Sequence, residues 1–160
     1  MIPLNHKEIE REISQTLVDI SAAEDFMFQM PLEINAKTNG ITFGIPVVIN
    51  LFKDAFYFQI AFGDYRKSHY LQISFRLLIG EIKHDKDILP IINKLNLKLL
   101  YGKAVLNEEG ENPYLTIEQD FNAANVDQVK ESMYDFLNDL IDDDVTPQIE
   151  MLLTKMRSLK

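Results

Sequence analysis

The hydrophobic period of the chain changes along its length, and each change predicts an element. From about Asn5 to Ala22, Ile9, Ile13, Leu17 and Ile20 recur at spacings of four, four and three, which is one apolar stripe on a helix. Asn5 supplies a capping side chain and Glu8 stands three residues on, the capping-box spacing. From Ile41 the period drops to two. Ile45, Val47, Ile49 and Leu51 share one parity, and Pro46 on the other predicts an edge strand or a strand start, because it has no N–H for a ladder. In "AFYFQIAFG", Phe56, Phe58, Ile60 and Phe62 alternate with Tyr57, Gln59 and Ala61. In "HYLQISFRLLIG", Leu71, Ile73, Phe75, Leu77 and Ile79 alternate with Tyr70, Gln72, Ser74 and Arg76. Joined by "GDYRKS", the two segments predict an antiparallel hairpin with one buried face.

Asp87 is expected to cap a short helix through about Leu97, with Pro90 in its first turn, where a missing N–H costs least. A second hairpin follows, with strands near Tyr101–Asn107 and Tyr114–Phe121 and Leu115, Ile117 and Phe121 facing inward. Asn125 and Gln128 then open the strongest helix, whose apolar face is Val126, Val129, Met133, Phe136, Leu137, Leu140 and Ile141. Thr146-Pro147 places a cap residue before a first-turn proline and opens a last helix, Pro147–Leu159, carrying Ile149, Leu152, Leu153 and Met156. Between the first helix and the strands, "EDFMFQMPLE" reads either as a connector against the core or as an exposed apolar segment. The expected fold is α+β. A single antiparallel sheet of about five strands is packed by helices in the order α-β-β-β-α-β-β-α-α. No linker, repeat or low-complexity tract divides residues 1–160, which read as one domain.

Composition narrows the function more than the fold. A length of 160 residues and an apolar fraction of 46% support a buried core without cross-links. The absence of cysteine removes disulfides, zinc–thiolate sites and thiol nucleophiles, and fits a reducing compartment. A formal charge of −9 argues against nucleic acid and anionic membrane as partners. The densest basic group, Lys94, Lys98 and Lys103, stands among apolar residues. The opening "MIPLNHKEIERE" has no signal-peptide pattern, and no apolar run approaches bilayer length, so the expected location is the cytoplasm.

The residues that look most like chemistry are in "DLIDDDVTP", four carboxylates within six residues from Asp139 to Asp144. Carboxylates at a helix C-terminus are disfavoured by its macrodipole, but the same residues precede the next helix, whose N-terminus favours them. Three adjacent aspartates also point in different directions and lack the spaced acidic loop of a cation site. The preferred reading is a solvated helix junction. His6, His69 and His84 fall on three different elements. Ser68-His69 lacks a Gly-x-Ser-x-Gly elbow, and His84-Asp85 with Asp87 reads as a loop before a helix. No glycine-rich phosphate loop is present. No catalytic residue, metal ligand or cofactor site is therefore expected, and a non-enzyme is preferred over a small carboxylate- or metal-dependent hydrolase with scattered groups.

The outward faces of the strands are more suggestive. Tyr57, Tyr70 and Tyr114 stand at outward parity on three strands with Arg76, a residue combination favoured in protein interfaces. Tyrosine is equally a good half-exposed strand residue. Phe26 and Phe28 rank second as binding residues and are more readily core filler.

The element order, together with Asp87–Ile141, "DILPIINKLNLKLLYGKAVLNEEGENPYLTIEQDFNAANVDQVKESMYDFLNDLI", resembles the type III secretion chaperone-like fold and, within it, the YbjN-like family of bacterial sensory transduction regulators. The shared features are a short helix ending in "INKLN", a Gly-Lys strand start, a polar hairpin, an Asn turn and a long amphipathic helix. The resemblance implies a small acidic homodimer that binds a protein partner or client without cofactor. It implies either a regulator or adaptor, or a dedicated chaperone for one secreted client. The final helix and the Phe/Met connector depart from a minimal chaperone.

Overall fold

The computed structural model describes residues 6–37, 40–63, 71–83, 86–108 and 110–158. Its elements are α1 (His6–Ser21), β1 (Phe26–Phe28), β2 (Glu33–Lys37), β3 (Gly40–Ile49), β4 (Asp54–Phe62), β5 (Leu71–Glu81), α2 (Ile88–Lys98), β6 (Lys103–Asn107), β7 (Tyr114–Ala123), α3 (Val126–Leu140) and α4 (Thr146–Ser158). The fold is α+β, with one open antiparallel sheet in the order β1-β3-β4-β5-β7-β6, and β2 paired to β3 beside β1.

Seven strands stand where about five were expected; β1 lies in the Phe/Met connector and β2 begins at its last residue, Glu33. β1 pairs with Val47–Ile49 and β2 with Gly40–Gly44, so the segment from Phe26 to Lys37 is an edge strand in two pieces. Pro46 explains the interruption. It sits inside the ten-residue β3 rather than at an edge or a strand start, but its carbonyl accepts the Gln29 N–H at 2.9 Å, so its nitrogen faces the same side, at the gap between β1 and β2. No ladder donor is missing there.

The odd-numbered residues of β3 and β7 and the matching positions of β4 and β5 form one buried face. Ile41, Phe43, Ile45, Val47 and Ile49 continue into Phe56, Phe58, Ile60 and Phe62, then Leu71, Ile73, Phe75 and Leu77, then Leu115 and Ile117. The apolar stripes of all four helices join this same core. At its centre Phe58, Phe75 and Phe136 meet with ring centroids 5.6–5.9 Å apart, tying β4 and β5 to α3. Each such ring removed from water contributes about 1.5–3 kcal/mol.

The helix ends refine the sequence reading. Asn125 caps α3 as expected, accepting the Gln128 N–H at 3.0 Å, while the Gln128 side chain returns to Ala124 N–H at 2.7 Å, one residue earlier than a capping box would place it. Asp87 precedes α2 but makes no side-chain cap. Asn5, expected to cap α1, lies outside the described residues. Thr146 is the first residue of α4 rather than its cap. The Val145 carbonyl receives the Gln148 and Ile149 N–H groups at 3.1 and 3.2 Å.

The acidic junction divides into two kinds of carboxylate. Asp142, Asp143 and Asp144 are exposed, and Asp142 closes a local turn by accepting the Asp144 N–H at 2.9 Å. Asp139 departs from the solvated reading. It is only 6% exposed, and its Oδ2 accepts the N–H groups of Leu100 and Tyr101 at 2.8 and 3.2 Å. The carboxylate thereby pins the turn between α2 and β6 onto α3. Gly102 completes that turn, because a side chain there would run into Phe136 and Ile117.

Candidate functional site

With the helices on one side, the other face of the sheet is open among the described residues, and its side chains lie in rows that run across the strands. One row is apolar. Strand register sets Pro46 beside Tyr57, Tyr57 beside Leu78, Leu78 beside Thr116 and Thr116 beside Val105. Met27, Val48 and Ala55 extend it toward β1, with Met27 beside Val48 and Val48 beside Ala55. The next row is polar, running through Glu33, Gly44, Gln59, Arg76, Glu118 and Lys103. A third carries Asn35, Thr42, Ala61, Ser74 and Asp120.

Tyr57 links the first two rows. Its ring lies across Gly44, where an added Cβ would fall 2.1 Å from the phenol oxygen, and its Oη donates to Glu33 Oε2 at 2.7 Å. Burial, then the hydrogen bond and charge of Glu33, push its pKa up to about 12. The hydroxyl is already committed within the sheet, so what Tyr57 leaves open is ring surface. Arg76, whose side chain is 53% exposed, pairs with Glu118 at 3.0 Å on the neighbouring strand. Lys103 is drawn away from the face, its Nζ donating to the carbonyls of Asn96 and Leu99 at the end of α2. Tyr114 is half-buried at the start of β7, opposite Glu81 and Asn107. Asn107 in turn donates to Thr116 Oγ1 at 3.1 Å.

Of the residues singled out from sequence, Tyr57, Arg76 and Tyr114 thus stand on one face, and Tyr70 lies outside the described residues. Phe26 is 1% exposed and stacks on half-buried Phe28 with centroids 6.1 Å apart. Phe26 is a core residue with no surface to present. Its side chain shares the inward parity of Ile49, which the edge pairing of β1 fixes. Sequence reading missed Leu78 and Val105. The signal for Leu78 was the run Leu77-Leu78-Ile79, an apolar triplet that breaks strict alternation, and the register shift between Leu78 and Gly80 falls there.

His69, His84 and Asp85 lie outside the described residues, so the sequence reading of these groups is neither met nor displaced. Among the described residues no three His, Asp or Glu side chains gather as a metal site would need. A hollow of about 440 Å³ at the end of β4, β5 and β7 carries one carboxylate, Asp120, with Gln72, Ser74 and Asn122. No described helix is long and apolar enough to cross a membrane. No family model, curated protein or solved structure matches the chain.

Proposed function

We propose that this chain is a non-enzymatic protein-binding domain, a YbjN-like regulator or chaperone-like adaptor of the cytoplasm, and that it engages its partner on the open face of the sheet. The observation that supports the reading is the row Pro46, Tyr57, Leu78 and Val105, half-buried apolar side chains on four strands that the helices leave uncovered, with buried Thr116 between the last two. A sheet face that keeps a half-exposed apolar band supports its being a surface that another molecule covers. The bordering Gln59, Arg76 and Glu118 supply the polar rim that such interfaces carry.

The test is native mass spectrometry of the protein gently purified from its own host, as wild type and as Leu78→Asp. The expected result is a second polypeptide on the wild type that is lost from Leu78→Asp while the circular dichroism spectrum is kept. A wild type that carries no second polypeptide, or a Leu78→Asp variant that retains it, would overturn the reading.

A further inference from the structure

We propose that the outer edge of β2, which no described strand pairs, pairs with β2 of a second copy of this chain, antiparallel about Asn35, so that two sheets join into one. This surface is distinct from the open face, and the inference does not rest on the function proposed for that face.

The direction of the backbone groups follows from β3. Its even-numbered residues turn toward β1 and β2, since the Pro46 carbonyl accepts from Gln29 and the Asn50 N–H donates to Asp25 at 3.0 Å. In an antiparallel pair the residues that exchange hydrogen bonds alternate along the strand. Glu33, Asn35 and Lys37, opposite Gly44, Thr42 and Gly40, therefore turn inward, and Ile34 and Ala36 turn their N–H and C=O groups to the outside. The side chains along this edge are open as well. Ile34 is 45% exposed, Met30 just before β2 is 40% exposed, and Asn35 and Ala36 are exposed.

The two edges of the sheet are treated differently. At the other one, β6, the Asn96 side chain stands in for a neighbouring strand. Its Oδ1 accepts the Ala104 N–H at 2.7 Å, and its Nδ2 donates to the Ala104 carbonyl at 3.1 Å. A blunted edge resists strand addition, whereas an unblunted one bearing apolar side chains invites it. The sequence of β2, Glu-Ile-Asn-Ala-Lys, is complementary to itself in reverse. Antiparallel pairing with Asn35 on the two-fold axis sets Ile34 opposite Ala36 of the second copy and Ala36 opposite its Ile34. All four outward donors and four outward-facing acceptors on the two strands are then brought into register. Position 33 falls opposite position 37 of the second copy at both ends.

The experiment uses the absence of cysteine from the chain. In the proposed register the two Asn35 residues form a non-hydrogen-bonded pair with Cα atoms about 4.5 Å apart, inside disulfide range. Under mild oxidation Asn35→Cys is expected to form a covalent dimer about a hundredfold faster than Asn122→Cys, because paired thiols meet at an effective concentration of order mM. Wild type is expected to sediment at twice the 18.5 kDa of one chain. Ala36→Pro removes only an outward N–H, and Ile34→Lys sets a charge on the edge. Both are expected to sediment as single chains and, combined with Asn35→Cys, to lose the rapid cross-link. Wild type sedimenting as a single chain at the highest soluble concentration would overturn the proposal. So would cross-linking no faster than in Asn122→Cys, or a dimer that survives both edge variants.

Discussion

Replacing Asp139 with alanine should cost far more than replacing any of the three aspartates that follow it. The carboxylate is 6% exposed and holds the N–H groups of Leu100 and Tyr101 at 2.8 and 3.2 Å. A hydrogen bond to a charged acceptor contributes about 1.5–3 kcal/mol, and two of them bound the effect at roughly twice that. Leu100 and Tyr101 are themselves exposed, so water can reach part of the vacated turn and lowers the figure. The expected loss for Asp139→Ala is about 2–4 kcal/mol. Asp139→Asn keeps an acceptor of the same shape without the charge and should cost about 1 kcal/mol. Asp143→Ala touches neither contact and should stay within about 0.5 kcal/mol of wild type. The assay is urea unfolding followed by circular dichroism at 222 nm, since the chain has no tryptophan. In a thermal scan a loss of this size lowers Tm by about 2–4 °C for each kcal/mol. Equal midpoints for Asp139→Ala and Asp143→Ala, at unchanged slopes, would refute the assignment of Asp139 as the pin of this turn.

Tyr57 should titrate late and affect stability at high pH. Its pKa is raised from 10.0 to about 12, so its contribution is complete below pH 10 and is lost as the pH rises through 12. Absorbance at 295 nm should show a late-titrating phenol that Tyr57→Phe removes. That variant should also flatten the alkaline loss of stability by about 1 kcal/mol, once solvent screening at a part-exposed group is allowed for. Loss from Tyr57→Phe of a phenol that titrates near 10 rather than near 12 would refute the Glu33 contact. Asn96→Ala should cost about 1–2 kcal/mol, from two lost bonds to Ala104. It should also speed hydrogen exchange at the Ala104 amide, and protection unchanged there would refute the role of Asn96 at the edge.

Most of the fold was legible because its signals are local. The helical stripes of α1 and α3 and the alternation in β4 and β5 each follow from a period that the burial pattern repeats. The short strands β1 and β2 were not legible, since "FMF" and "EINAK" carry too few residues to show a period and are strands only because β3 offers a ladder. Asp139 shows the same limit. Its neighbours in sequence are solvated, and what buries it is a turn 38 and 39 residues away. Of the candidate site, the outward parity of Tyr57, Arg76 and Tyr114 could be read from alternation. The alignment of Tyr57 with Leu78 and of Thr116 with Val105 could not, because it depends on the register between strands.

Register also decides how a partner would lie on the open face. The apolar and polar rows run across the strands, so a chain laid along any one strand meets both kinds in alternation. One laid across the strands meets a single kind throughout. Five strands at about 4.8 Å spacing give the apolar row a length of about 19 Å, which about six residues of extended chain would span. Pairing through β2 would extend the sheet past Glu33 and Asn35 and so lengthen the polar rows across the axis, while the apolar row would stop at Pro46 and Met27 on each copy. A partner lying along the apolar row would then be confined to one copy. Two partners per dimer follow, one on each open face. A dimer with a single partner chain shared across the axis would mean that the polar rows, not the apolar one, carry the binding.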